Sequence, residues 1–410
     1  MEKVAVVGSG ISGLTAAHYL QERYQVTVFE ADDRAGGHVN THQLVVDGLK
    51  LNVDSGFIVF NDRTYPNFIR LIDSLGITSS ATEMSFSVSG RSIEYNGHNL
   101  NTLFADRRNL LRPTFLRMVR DIFRFNSEAR DLRSSDKVLD VGTYLETHRY
   151  SDEFSNQYLL PMAAAIWSTG IESITEFPIA ALVRFFDHHG LMDLRDRPQW
   201  RVIKGGANLY VQKIISQLQD FRYSSPVVRV ERGVERVEVI TPDNREFFDY
   251  LVIATHSDQA LALLSDQSVA EQNILSRMKY TRNKVKLHTD SSIMPRRRRA
   301  WASWNYHLDR AQGSAALTYY MNRLQHLSVA TPVMVTLNDP GIIDDEKVIG
   351  VTEYDHPFYN HDMLSAQKQW HAISGQKRTY FAGAYWRNGF HEDGVVSALK
   401  VCKQLGVEVC

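Results

Sequence analysis

The sequence predicts an α/β fold in which a discontinuous Rossmann-like domain is joined to a mixed α+β domain. Three observations predict it. Residues 4–30 hold a complete βαβ pattern around spaced glycines, strand-rich sequence returns at 226–254, and a strand, a glycine and an apolar-periodic helix close the chain at 379–406. At 410 residues the chain is long enough for two cores. The expected division gives 1–80, 198–257 and 375–410 to the first domain, and 81–197 and 258–374 to the second.

The first element is the β-branched run Val4 to Val7, as expected of a strand buried on both faces. Gly8, Gly10 and Gly13 follow at G-x-G-x-x-G spacing, and Ile11, Leu14, Ala17 and Leu20 recur with helical period. A second apolar run, Val26 to Phe29, ends at Glu30. Such glycines let the backbone approach a pyrophosphate whose charge sits at the helix N-terminus. Glu30, 20 positions after Gly10, is placed for a ribose 2′-hydroxyl and disfavours a 2′-phosphate.

Residues 48–77 read as a strand, a loop and an amphipathic helix from about Tyr65. Helical patterns dominate from Ala81 to Trp200. The segment Pro113 to Leu132 begins with a proline suited to a first helical turn and interleaves Arg117, Arg120 and Arg124 with apolar positions. It suits either an ordinary surface helix or one lying on an anionic bilayer. Tyr158 to Gly170 and Phe177 to Leu191 suit buried helices, as core or as the walls of an apolar tunnel. The Gly205–Gly206 pair precedes another helix. Strands are expected at Pro226 to Val230 and Leu251 to Ala254, with a hairpin about "TPDN" between them. The stretch 258–374 is rich in aromatics and carries four consecutive arginines, Arg296 to Arg299. These fit a solvated loop or an anionic partner. Near the C-terminus, Gly383 follows a strand from Thr379 to Ala382, and Gly394 opens a helix behind the acidic pair Glu392–Asp393.

These motifs carry a resemblance. "EADDRAGG" (Glu30 to Gly37, with Arg34, Gly36 and Gly37), "VDSGF" (Val53 to Phe57) and the distal "FAG" (Phe381 to Gly383) are similar to the flavin-dependent amine oxidase and phytoene desaturase superfamily. Within it, the chain most resembles a bacterial oxidoreductase subgroup linked with cyclopropane or methyl-branched fatty acid metabolism. The resemblance implies an amine-oxidase-like fold and non-covalent FAD. It also implies cofactor contacts at Ile11, Ser12, Ala31, His38, Asn40, Gly56, Phe57, Val228, Ala254 and Thr255, and at Gly383, Glu392, Asp393, Gly394 and Val395. Two positions depart from the pattern: His38 stands where an arginine is usual, and Ala384 where an acid is usual.

Composition narrows the class. A hydrophobic fraction of 43% with 23% charged residues describes an ordinary globular protein, and a net charge of −1 makes no general case for nucleic acid. Two cysteines, Cys402 and Cys410, both near the C-terminus, argue against a disulfide framework or thiolate metal site and suit a reducing cytoplasm. Met1 stands almost against the first strand, so no signal peptide is expected. No apolar run reaches the ~18 residues of a membrane span. The expected location is the cytoplasm, with peripheral contact at the inner membrane surface as an option. The sequence carries no signal for oligomeric state.

Chemistry follows from what is present. The adjacent His188 and His189 cannot share a helix face, so no metal site is expected. His391, beside the predicted flavin loop, is the acid/base candidate. Lys286, with Lys204 and Lys284, is the candidate for the flavin-N5 water contact found among amine oxidases. Three functions remain open: hydride removal from an apolar, fatty-acyl or other lipid substrate; amine oxidation, with Tyr385 or Trp386 beside the substrate nitrogen; and non-catalytic lipid binding by a flavoprotein.

Overall fold

The computed structural model describes residues 1–90, 92–134, 139–193, 196–308 and 316–408. Its centre is a parallel five-stranded sheet in the order Asp220–Arg222, Gln25–Phe29, Lys3–Val7, Tyr250–Ile253, Thr379–Phe381. Val4, Val6 and Val28 are wholly buried, as the unbroken apolar runs require of strands covered on both faces. One face packs under the helices Ile11–Leu20 and His391–Gln404, which lie against each other. A three-stranded antiparallel sheet, Arg229–Arg232, Val237–Ile240 and Arg245–Phe248, contains the hairpin expected about "TPDN".

The remaining large element is a seven-stranded sheet, ordered Val348–Pro357, Tyr280–His288, Met334–Leu337, Leu317–Tyr320, Trp304–His307, Phe86–Ser89, Glu94–Asn96. Its last two strands lie within 81–200, where helical patterns dominate the sequence. They are four and three residues long; Phe86–Ser89 pairs with Trp304–His307, more than 200 residues away, and Glu94–Asn96 pairs in turn with Phe86–Ser89, so neither is long enough for a period of two to announce it. The helices expected beyond them form at Pro113–Glu128, Leu160–Trp167 and Ile179–His188. The C-terminal helix begins at His391, three residues before Gly394. Cys402 is buried and free, whereas Cys410 lies outside the described residues.

Candidate active site

A cavity of about 930 Å³ runs from the first glycine turn to the seven-stranded sheet. At one end stand Gly8, Gly10, Ile11, Ser12, Glu30 and Ala31, with Arg34, Gly36 and Gly37 beside them. The glycines divide the work. Gly8 has φ +99°, and a Cβ there would lie 2.9 Å from the Ala254 carbonyl oxygen. A Cβ on Gly13 would lie 1.9 Å from the Gly8 carbonyl oxygen, so Gly13 shapes the turn from behind without bordering the cavity. A Cβ on Gly10 meets no protein atom within 4 Å, so the space before it suits a phosphate. The first N–H groups of the helix Ile11–Leu20 lack intrahelical partners and add a favourable dipole.

Glu30 is fixed before any ligand arrives. Its Oε2 accepts from the Ser9 N–H at 3.0 Å and from the Ser9 hydroxyl, and its Oε1 accepts from the Asp32 N–H at 3.0 Å. Ser9, which the motif leaves unspecified, therefore orients the acid. Arg34 clamps its own loop, donating to the Val39 carbonyl at 2.6 Å and the Gly37 carbonyl at 2.9 Å.

The middle of the cavity is bordered by His38, Gly56, Phe57, Ala254, Thr255, Gly383 and His391. A Cβ on Gly56 would lie 1.9 Å from the His38 carbonyl oxygen, so two loops touch there. His391 stacks on Phe57 at 3.6 Å, within 6° of parallel, and its Nε2 lies 2.8 Å from the Tyr210 hydroxyl. Burial pushes its pKa down to about 3, which makes it a neutral ring and a weak base near neutral pH. His38 stacks on Tyr354, with His356 at 5.4 Å and His256 at 6.0 Å. Burial, then the neighbouring imidazoles, holds His38 well below the ordinary histidine value, and burial holds His356 at about 4. Sequence reasoning missed His256, Tyr354 and His356. The i, i+2 spacing of Tyr354 and His356 in an extended run was the available signal.

Several expected residues lie elsewhere. Lys286 is turned away from the cavity: it alternates with Val285, which borders it, and pairs with Asp339 at 2.9 Å. Lys204 and Lys284 are exposed, and no lysine borders the cavity among the described residues. Val228 is half-exposed and donates its N–H to the Ile240 carbonyl, while Val227 borders the cavity, a one-residue change of side. Asn40 faces Thr352, 3.5 Å away.

The distal motif is corrected most. Glu392 accepts from the Asn67 and Phe68 N–H groups at 3.1 and 2.9 Å, which caps the helix Pro66–Ser74. Asp393 accepts from the Phe390 N–H at 3.0 Å and so caps its own helix, and burial raises its pKa to about 6. Gly394 permits contact between helices, because a Cβ there would lie 2.6 Å from Ile11 Cγ2. Val395 is core, beside Ile11 and Leu14. The motif thus brings two helix N-termini together behind the cavity, where their dipoles add.

The far end of the cavity is walled by Met84, Phe86, Met162, Ile166 and Leu191, and by Val285, Trp304, Tyr319 and Leu337. Two acids border the cavity away from the nucleotide end, Glu353 and Asp355. Arg282 pairs with both, at 3.6 and 3.0 Å.

Comparison with known proteins agrees with this geometry. Over 83 residues, 20% of this chain and 17% of that protein, the chain is 36% identical to the flavin-dependent L-tryptophan oxidase RebO of Lentzea aerocolonigenes. It is 38% identical over 73 residues to the L-amino-acid oxidase BmooLAAO-I of Bothrops moojeni, 18% of this chain and 14% of that one. Both alignments span less than a fifth of the relative's length. Two solved structures share the fold along nearly the whole chain. Cyclohexylamine oxidase from Brevibacterium oxydans IH-35A has a TM-score of 0.73 at 16% identity, covering 99% of both chains. The CLA-producing fatty acid isomerase from P. acnes has 0.68 at 14%, covering 98% of both. The family model of the flavin containing amine oxidoreductases matches residues 11–326. With an open phosphate turn, a fixed acid and a long cavity in place to receive it, the cofactor is FAD, and the chain belongs to the flavin containing amine oxidoreductase family.

Proposed function

We propose that the protein is an FAD-dependent oxidoreductase removing hydride from an apolar, acyl-chain substrate. When bound, FAD supplies a hydride acceptor at N5. The observation that carries the reading is the far wall of the cavity: aliphatic and aromatic side chains line it, while Glu353 and Asp355, which border the cavity beside the His38 group, both pair with Arg282. A methylene chain gains about 0.8 kcal/mol per buried CH2 in such a space, whereas an ammonium ion finds no uncommitted carboxylate. The same wall excludes water from the reacting carbon. The Phe57–His391 stack, anchored by Tyr210, acts as a fixed neutral support, so His391 positions ligand and does not carry the proton.

Amine oxidation is the second reading. The rings of Tyr385, Phe390 and Phe185 at the cavity wall favour it, since aromatic faces attract a cation. Anaerobic titration of the flavin band near ~450 nm separates the two, because substrate hydride bleaches the bound electron sink. Unsaturated, methyl-branched and cyclopropane acyl lipids are expected to bleach it. Bleaching by primary amines or polyamines alone would replace the acyl reading. A flavin that dithionite reduces and neither series bleaches would argue for a binding role.

A further inference from the structure

We propose that the surface formed by residues 100–124 and the arginine run Arg296 to Arg299 docks on an anionic phospholipid bilayer. The proposal is independent of the substrate reading, since it rests on the outside of the molecule.

Two basic segments far apart in sequence meet here. The Arg296 N–H and the Arg297 guanidinium both donate to Glu94, each at 2.6 Å, and Arg297 also reaches Asp106 at 3.4 Å. The turn Arg298–Ala300 lies against the helix Leu100–Leu103. Arg108 and Arg296 line a surface cleft of about 310 Å³ between the segments.

Charge on this surface is sorted by depth. Residues 100–124 contain six arginines and two acids. The Asp121 side chain is 1% exposed and its partner Arg120 72%, and Asp106 is likewise buried beneath an exposed Arg108. Both carboxylates of this segment are buried, while Arg107, Arg108, Arg117 and Arg120 are exposed; Arg117 pairs with Glu153 and the half-buried Arg124 with Glu128, which leaves an excess of positive charge facing solvent in a chain whose net charge is −1.

Large apolar side chains stand among these arginines. Leu111 is 87% exposed and Leu100 76%, with Leu110, Leu116 and Phe123 also exposed. Leu116, Arg120 and Phe123 are spaced i, i+4, i+7 and share the outer face of the helix Pro113–Glu128, while Phe115, Met118 and Phe125 fill the inner face. Exposed leucines ringed by arginines complement a surface that is anionic at its headgroups and apolar just beneath. A nucleic acid would use the arginines and leave the leucines in water.

The test is flotation of the full-length, FAD-loaded protein with phosphatidylcholine vesicles and with vesicles containing phosphatidylglycerol. Binding to the anionic vesicles alone is expected, and it should fall steeply with added salt. Arg107→Gln and Arg120→Gln should each weaken it about fivefold. Leu111→Asp should abolish it while the flavin spectrum and melting temperature stay those of the parent. Unaltered binding by Leu111→Asp would overturn the proposal. So would equal binding to neutral vesicles, equal affinity for duplex DNA, or a dimer that Leu111→Asp converts to monomer.

Discussion

Gly10 and Gly13 are three positions apart and fail for opposite reasons when a methyl group is added. In Gly13→Ala the new carbon collides with the Gly8 carbonyl oxygen, so the turn itself must open. That variant is expected to lose FAD and to melt lower even without cofactor. In Gly10→Ala the new carbon meets only the space the pyrophosphate takes, so the apoprotein should melt like the parent while FAD affinity falls at least tenfold. Released-flavin fluorescence and calorimetry of both apoproteins would check the pair, and equal apoprotein stabilities would refute the division. Glu30 belongs to the same scale. It is held by three donors, and Glu30→Gln turns an NH2 toward one of them. Charge-assisted bonds contribute about 1.5–3 kcal/mol each, so FAD affinity should fall roughly ten- to hundredfold.

At the scale of elements, the acidic pair of the last helix shows how one motif serves two structures. Glu392 caps the helix Pro66–Ser74, some 325 residues earlier, and Asp393 caps its own. Glu392→Gln is therefore expected to destabilise the fold by about 1 kcal/mol, the usual worth of a cap, while FAD affinity stays within twofold. A large loss of FAD with unchanged melting would return Glu392 to the cofactor. The strand Tyr280–His288 carries a matching lesson. Val285 faces the cavity and Lys286 faces Asp339, so Lys286→Met should leave the rate of flavin reduction unchanged in stopped-flow measurements. The period of two in a strand decides which neighbour reaches the site, and a motif count blind to register picks the wrong one.

At the scale of the molecule, buried histidines set the response to acid. Burial holds His189 and His356 at about 4 and His391 at about 3, against about 6.5 in an unfolded chain. Between pH 6.5 and 4 the unfolded state therefore binds more protons, and stability is lost as pH falls. Asp54 and Asp393, both raised to about 6 by burial, work the other way between pH 6 and 4. The histidines outnumber them, and His38 and His256 add to the same side. The melting temperature is expected to drop from pH 7 to pH 4.5. A flat or rising profile would show that the buried carboxyls dominate.

The βαβ unit, its glycines and Glu30 were legible in the sequence because every determinant lies within about 30 residues and acts through the backbone. Turn geometry, helix period and strand burial are local properties, and they sufficed to identify the nucleotide end. The far wall of the cavity was not legible. Phe86 and Trp304 become neighbours only because two short strands pair across more than 200 residues, and His38 meets His256 and His356 only where three loops and strands converge. The same convergence gave Glu392 a helix to cap and turned Lys286 away from the site. Contacts of that kind follow from packing and strand register, which no single stretch of the chain encodes. The sequence by itself determined the cofactor end, and tertiary structure alone decided which side chains surround the substrate.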